Sequence, residues 1–300
     1  NIEGQIPIYQ YLVEQAQESS KKRDYILKLA QKYREIHQNQ KAKEIYIQTI
    51  QQKILNLQNI SILELFFIET EDNNALNELY QFSQQISSEK TDSITFIRKQ
   101  ILLLDQKFHK HEDAAQKTIF LFQKFDSGIS VKDLLLDFLN RGIFSKQIAE
   151  ILSAQAIESK HYHEAIQMYE ILSSIAKDDN EKLEFQKKIT TIKHQNLEDF
   201  EQAFLSGLSV FKSQKDFDDL DWITELADDA AGFSELAKIL EEMLLTATLS
   251  DAEKLLLHSK LAAIYDDNLK STQKTLSHLI EVYRSQQHDT RLFEKIATFY

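Results

Sequence analysis

The sequence predicts an all-α protein in which antiparallel helix pairs stack side by side as an α-solenoid, and three observations point there. Among 300 residues there are only 5 Gly and 1 Pro, against 42% hydrophobic and 27% charged residues, so core formers are ample and turn formers scarce. Apolar residues recur at spacings of three and four, the period of one helix face. The sequence also repeats itself: Lys182 to Phe211 aligns on Lys254 to Tyr283 at a constant offset of 72 with no gap. That register pairs Leu183 with Leu255, Phe185 with Leu257, Ile189 with Leu261, Ile192 with Ile264, Leu208 with Ile280 and Phe211 with Tyr283. Such an offset is close to twice a hairpin unit of about 34 to 36 residues.

The elements follow in order. Ile26, Leu29, Ala30 and Tyr33 make one stripe, and Ala42, Ile45, Tyr46 and Ile50 make the next, with the polar run Gln38 to Lys41 as the turn between them. From 57 to 145 the pattern stays helical, as in Ile101, Leu104, Phe108 and then Ala115, Ile119, Phe122, but its spacing is irregular. Between the two aligned segments lies a further pair: Trp222, Leu226, Ala227 and Ala230, then Phe233, Leu236, Leu240 and Leu244. The clearest units are 23–56, 146–178, 182–213, 220–246 and 254–286. Ser250 before Glu253, Asp216 and Asp218 before Trp222, and Asp178 before Leu183 place capping and acidic residues at helix starts, where free amide donors need acceptors. The count is about fourteen helices. No Pro/Gly/Ser-rich linker divides the chain, so residues 1–300 read as one continuous array. It begins at Asn1 and stops on the stripe Leu292, Phe293, Ile296, Ala297 and Tyr300, which reads as a first helix without its second. A terminal repeat normally carries a polar capping helix, so the expectation is a piece of a longer array.

Composition excludes several chemistries. With 0 Cys there is no disulfide framework, thiol nucleophile or cysteine zinc site. The densest apolar stretch, Ile60 to Ile68, contains Ser61 and Glu64 and is far short of the ~18 apolar residues of a spanning helix. Phosphate-binding glycine loops, H-E-x-x-H and G-x-S-x-G are absent from the sequence. His109 and His111 with Glu112 and Asp113, and His161 and His163 with Glu164, have metal-ligand chemistry, but residues two apart on a helix face apart, and solvated turns are the plainer reading. Trp222 among its aspartates reads first as core filler and second as a partner anchor. The sequon Asn59-Ile60-Ser61 reads as chance. No catalytic group, metal or cofactor is expected.

Net charge is −12 and unevenly spread: 214–253 carries 12 acidic and 2 basic groups, whereas 21–43 carries 8 basic and 2 acidic. Nucleic acid needs a continuous basic track and is disfavoured as the ligand.

The run Leu29-Ala30-x-x-Tyr33 followed by Ala42-x-x-x-Tyr46 resembles a tetratricopeptide repeat (TPR). Leu152, Ser153, Ala165 and Tyr169 repeat the spacing, as do Leu261, Ala262 and Tyr265, with Leu276 and Tyr283 in the second helix of that copy. Small residues let facing backbones approach, and aromatics fill the gaps between hairpins. The closing Pro usual in the family is missing, and related hairpin solenoids such as half-a-TPR or HEAT-like arrays share the architecture. The resemblance implies a right-handed superhelix whose first helices line a groove for an extended peptide or a helix. By register the groove positions are Asp24, Gln31, Arg34 and Glu35, then Glu150 and Glu158, then Lys187, His194 and Gln195, then Asp221, Thr224 and Asp228, and finally Ser259, Asp266 and Asp267. The mixture grows acidic along the chain and predicts a basic or neutral segment of another protein. Leu27 and Gln31 stand where a chaperone-tail clamp would need Lys and Asn, so that specialised role is not expected. The function read from the sequence is therefore a non-catalytic interaction scaffold. The alternatives are a structural subunit of a large envelope or motility assembly, or the regulatory subunit of an enzyme, in the cytoplasm or the periplasm.

Overall fold

In a computed structural model, which describes residues 2–125, 128–214, 216–246, 248–285 and 290–299 (backbone alone at 128–130), the described chain is helical and contains no strand. Seventeen α-helices occur among these residues. Fourteen form antiparallel pairs: α2 (Ser19–Glu35) with α3 (Asn39–Gln51), α4 (Leu57–Glu69) with α5 (Asn73–Ile86), α6 (Lys90–Gln106) with α7 (His111–Phe125), and α9 (Ser145–Glu158) with α10 (Tyr162–Ile175). The others are α11 (Asp179–Gln195) with α12 (Phe200–Gln214), α13 (Leu220–Asp229) with α14 (Phe233–Thr246), and α15 (Asp251–Ala263) with α16 (Thr272–Ser285). The single helices α1 (Ile6–Gln15), α8 (Gly128–Asn140) and α17 (Thr290–Ala297) raise the sequence count from about fourteen to seventeen. Residues 57–125 thus form two ordinary hairpins. Tyr300 and the final residue of the 254–286 unit lie outside the described residues.

The chain divides into two compact units, 1–148 and 149–300. In the first, one continuous core runs from Leu29 and Ala30 of α2 through Tyr46, Phe66 and Phe67 to Leu79, Tyr80 and Leu103 of α6. In the second, Ala156, Ala165, Ile166, Ile189 and Ile192 join α9 to α10 and α11, and a larger core joins α12 through α15 around Phe204, Phe211, Leu236 and Leu257. Within each unit the packing is solenoid-like: helices pack on their chain neighbours, and the paired helices bury one stripe each, whereas α1 and α17 bury no residue fully. The expected caps form at Ser250, which makes a reciprocal capping box with Glu253, and at Asp178, which accepts from the Glu181 amide.

Most turns close without a left-handed glycine; Gly142, φ 75°, after α8 is the exception. His37, Glu71, Lys160 and Ala231 adopt left-handed backbone with φ of 61°, 54°, 59° and 51°. The next amide then reaches back five residues, from Gln38 to Tyr33 at 2.9 Å, Asp72 to Phe67 at 2.9 Å, His161 to Ala156 at 2.7 Å and Gly232 to Ala227 at 2.7 Å. These are Schellman closures, and each non-glycine residue in the left-handed region costs roughly 1–2 kcal/mol. A longer closure centres on His109, Glu198 and Lys270. In the two aligned segments it is identical bond for bond: Leu197 to Ile192 and Asp199 to Lys193 in one, Leu269 to Ile264 and Ser271 to Tyr265 in the other. Short and long closures alternate at 160, 198, 231 and 270, so the sequence repeats every two hairpins rather than every one.

Polar and ionic pairs mark the register between the first helices of successive hairpins, and between α6 and the end of α8. In the first unit Arg34 meets Glu69 at 2.7 Å, Lys99 meets Glu64 at 2.6 Å, and Arg141 meets Asp105 at 2.7 Å. In the second, His194 meets Asp229 at 2.6 Å and Lys260 meets Asp221 at 2.8 Å. Four of the five partners lie 35 or 36 residues apart, one hairpin on. Water screens pairs at exposed sites such as these, so they record the stacking more than they hold it.

Candidate functional site

The structure places every predicted groove position on a first helix, or on the π-helical turn Ile264–Asn268 that ends α15; their side chains are exposed or partly exposed except that of His194, which is mostly buried. In the first unit, Gln31, Arg34 and Glu35 of α2 come together with Asn39, Phe66, Glu69 and Thr70 around a cleft of about 450 Å³. Arg34 lies 5.1 Å above the Phe66 ring and is held by Glu69. Asp24 stands apart from this cleft, beside Arg23 at 3.6 Å.

In the second unit two of the predicted acidic positions, Asp221 and Asp266, are paired from within, as are their neighbours Asp219 and Asp229. Lys260 of α15 neutralises Asp221, His194 of α11 bonds Asp229, Lys187 of α11 pairs with Asp219, and Lys295 pairs with Asp266 at 2.9 Å. The Lys260 ammonium holds the Asp221 carboxyl below the usual carboxylate range. Thr224 spends its hydroxyl on the Leu220 carbonyl at 2.6 Å. Gln195 and Ser259 are exposed, and Glu150, Glu158, Asp228 and Asp267 are exposed with no ion pair among the described residues. On α13, Asp221 and Asp229 are met by Lys260 and His194 from the helices on either side, while Asp228 stays open.

Trp222 is half-buried against the α12–α15 core, its ring beside Gly207, with Lys187 Nζ 5.9 Å from the ring centre. His109 sits in its turn, while His111 starts α7 and bonds Asp105 at 2.6 Å. Arg141 and His111 together hold Asp105 below the usual carboxylate range. Among the described residues no group of three or more His, Asp or Glu is placed to hold a metal. The Asn59 carboxamide oxygen is buried in the first turn of α4 without a partner, an environment that fits the chance reading of its sequon.

One feature lies outside the sequence-derived set. Between α4 and α6 a cleft of about 530 Å³ is lined by Glu64, Ile68, Tyr80, Lys99, Leu102 and Lys107, among others. Ile62, Leu65 and Ile68 stand outward along α4 at 44%, 55% and 53% exposure, and Leu102 of α6 at 40%. Beside this apolar strip Lys99 and the Tyr80 hydroxyl both donate to Glu64, at 2.6 and 2.8 Å. Burial and the adjoining Glu64 carboxylate push the Tyr80 phenol far above its ordinary value, so it stays a proton donor. The density of Ile60 to Ile68 was the available signal, since a helix that buries one stripe does not need a second.

No protein family matches this chain, and no curated protein is similar to it in sequence. Among the described residues no helix is long and apolar enough to cross a membrane.

Proposed function

We propose that the chain is a non-catalytic scaffold whose first helices hold a segment of another protein, as in tetratricopeptide-like arrays. The observation that carries this reading is the exposed apolar strip Ile62, Leu65, Ile68 and Leu102 beside an open cleft. Contiguous exposed aliphatic residues are costly in water and mark surfaces that other macromolecules cover. Beside the strip Glu64 is paired with Lys99 and Arg34 with Glu69, so the partner is selected first by apolar side chains, with charge secondary. Asp228 and Asp267 of the second unit are exposed carboxylates open to a basic residue of a partner.

The test is affinity capture with the intact protein, identification of what is retained, and titration of that partner against variants. Leu65→Glu with Leu102→Glu is expected to weaken binding about thirtyfold or more, the scale of a lost apolar anchor. Asp228→Lys is expected to act more weakly and only at low salt. A partner that binds the double variant as tightly as the natural chain would sink the proposal.

A further inference from the structure

The hairpin 251–285 carries a polar network that the scaffold reading does not use. His258 of α15 and His278 of α16 meet edge to edge with their Nδ1 atoms 2.9 Å apart, and His278 is 9% exposed. At that distance one nitrogen donates and the other accepts, so the contact holds a single proton. On the far side of His278, Nε2 lies 3.7 Å from Glu241 of α14. The Tyr265 ring, in the π-helical turn, stacks parallel on His278 with centroids 5.8 Å apart. Tyr265 donates to Glu241 at 2.8 Å, and Lys274 Nζ reaches the Tyr265 oxygen at 2.7 Å and Glu241 at 3.0 Å. Glu281 acts electrostatically on His258.

The tautomers follow from this surrounding. With Nε2–H of His278 towards Glu241, its Nδ1 is the acceptor and His258 Nδ1–H the donor. A first added proton enters at His258 Nε2 and leaves the contact whole. A second has only the shared nitrogen left, and two N–H groups then face each other at hydrogen-bond distance.

We propose that the His258–His278 pair is a proton-operated latch: when acid loads both rings, α15 and α16 separate at this point and the surface carrying Ser259, Asp266 and Asp267 changes. Burial lowers the proton affinity of both rings; a charge on His258, and Lys274, also oppose a proton on His278, while Glu241 favours one on His278 and Glu281 one on His258 without reversing the direction. Groups depressed in the fold contribute stability above the unfolded histidine value near 6.5 and lose it as pH falls below that value.

The sister hairpin supplies the control, because Gln186 and Ser206 occupy the equivalent places at the offset of 72. Hydrogen exchange of the intact protein, corrected for intrinsic rates, is expected to speed up about tenfold or more in 251–285 between about pH 7.5 and about pH 5, with 179–214 much less affected. His258→Gln with His278→Ser, which installs the sister pair, is expected to abolish the difference. An unchanged exchange rate in the natural chain, or a response that survives in the double variant, overturns the latch. Imidazole NMR titration of the natural chain decides independently of that variant's folding. The latch requires two separated steps, the lower well under the ordinary histidine value, and is overturned if both rings titrate together at about 6.5.

Discussion

Phe66→Ala is expected to cost about 3–5 kcal/mol, the range for removing a buried aromatic ring from a packed core. Phe66 is 1% exposed and is the hub of an aromatic cluster, 5.0 Å from the Tyr46 ring and 5.6 Å from Phe67, both edge-on. Tyr46 belongs to α3 and Phe66 to α4, so the ring joins one hairpin to the next. The same ring supports Arg34, which bridges to Glu69 across the 450 Å³ cleft. Alanine would remove the seat of Arg34 and leave the buried Tyr46 hydroxyl beside a void. Urea unfolding followed by far-UV circular dichroism should show the first transition moving to markedly lower urea. A shift worth under about 1 kcal/mol would mean that the hairpins do not depend on this contact.

Gly232→Ala is expected to cost about 1–3 kcal/mol, or more where the neighbours cannot shift. A β-carbon there would sit 2.4 Å from Cε1 and 2.7 Å from Cδ1 of Phe204, a ring inside the α12–α15 core. The backbone at 232 is not left-handed, so the penalty is purely steric; the left-handed residue of this turn is its neighbour Ala231 at φ 51°. Trp222, the only tryptophan, packs against this core, so its fluorescence reports the unfolding locally. A stability equal to that of the natural chain would contradict the close packing of α12 on the α13–α14 turn.

These two residues show where sequence reasoning worked and where it stopped. Stripes such as Leu29, Ala30, Tyr33 and Ala42, Tyr46, Ile50 placed their helices because burial of one face has a period that survives substitution. Turn chemistry was not legible, because His37, Glu71 and Lys160 have no sequence signature for left-handed backbone, while Gly232 looks like a turn glycine but serves Phe204. The irregular spacing of 57–145 reflects two further hairpins followed by the single helix α8, which shifts the phase before α9. Groove positions were legible by register as exposed, but not their partners: that Lys260 answers Asp221, or that Lys187 answers Asp219, depends on which hairpins are neighbours. The α4 strip was missed because exposed and buried aliphatic residues look alike until one stripe is known to be satisfied.

The central claim is that first helices present the working surface and second helices support it. Hydrogen exchange of the intact protein with and without its captured partner measures this directly. Slowed exchange is expected in α4 and α6, with α5 unchanged. Protection centred on the second helices, or a tight complex that leaves α4 and α6 exchanging as in the free chain, would contradict it.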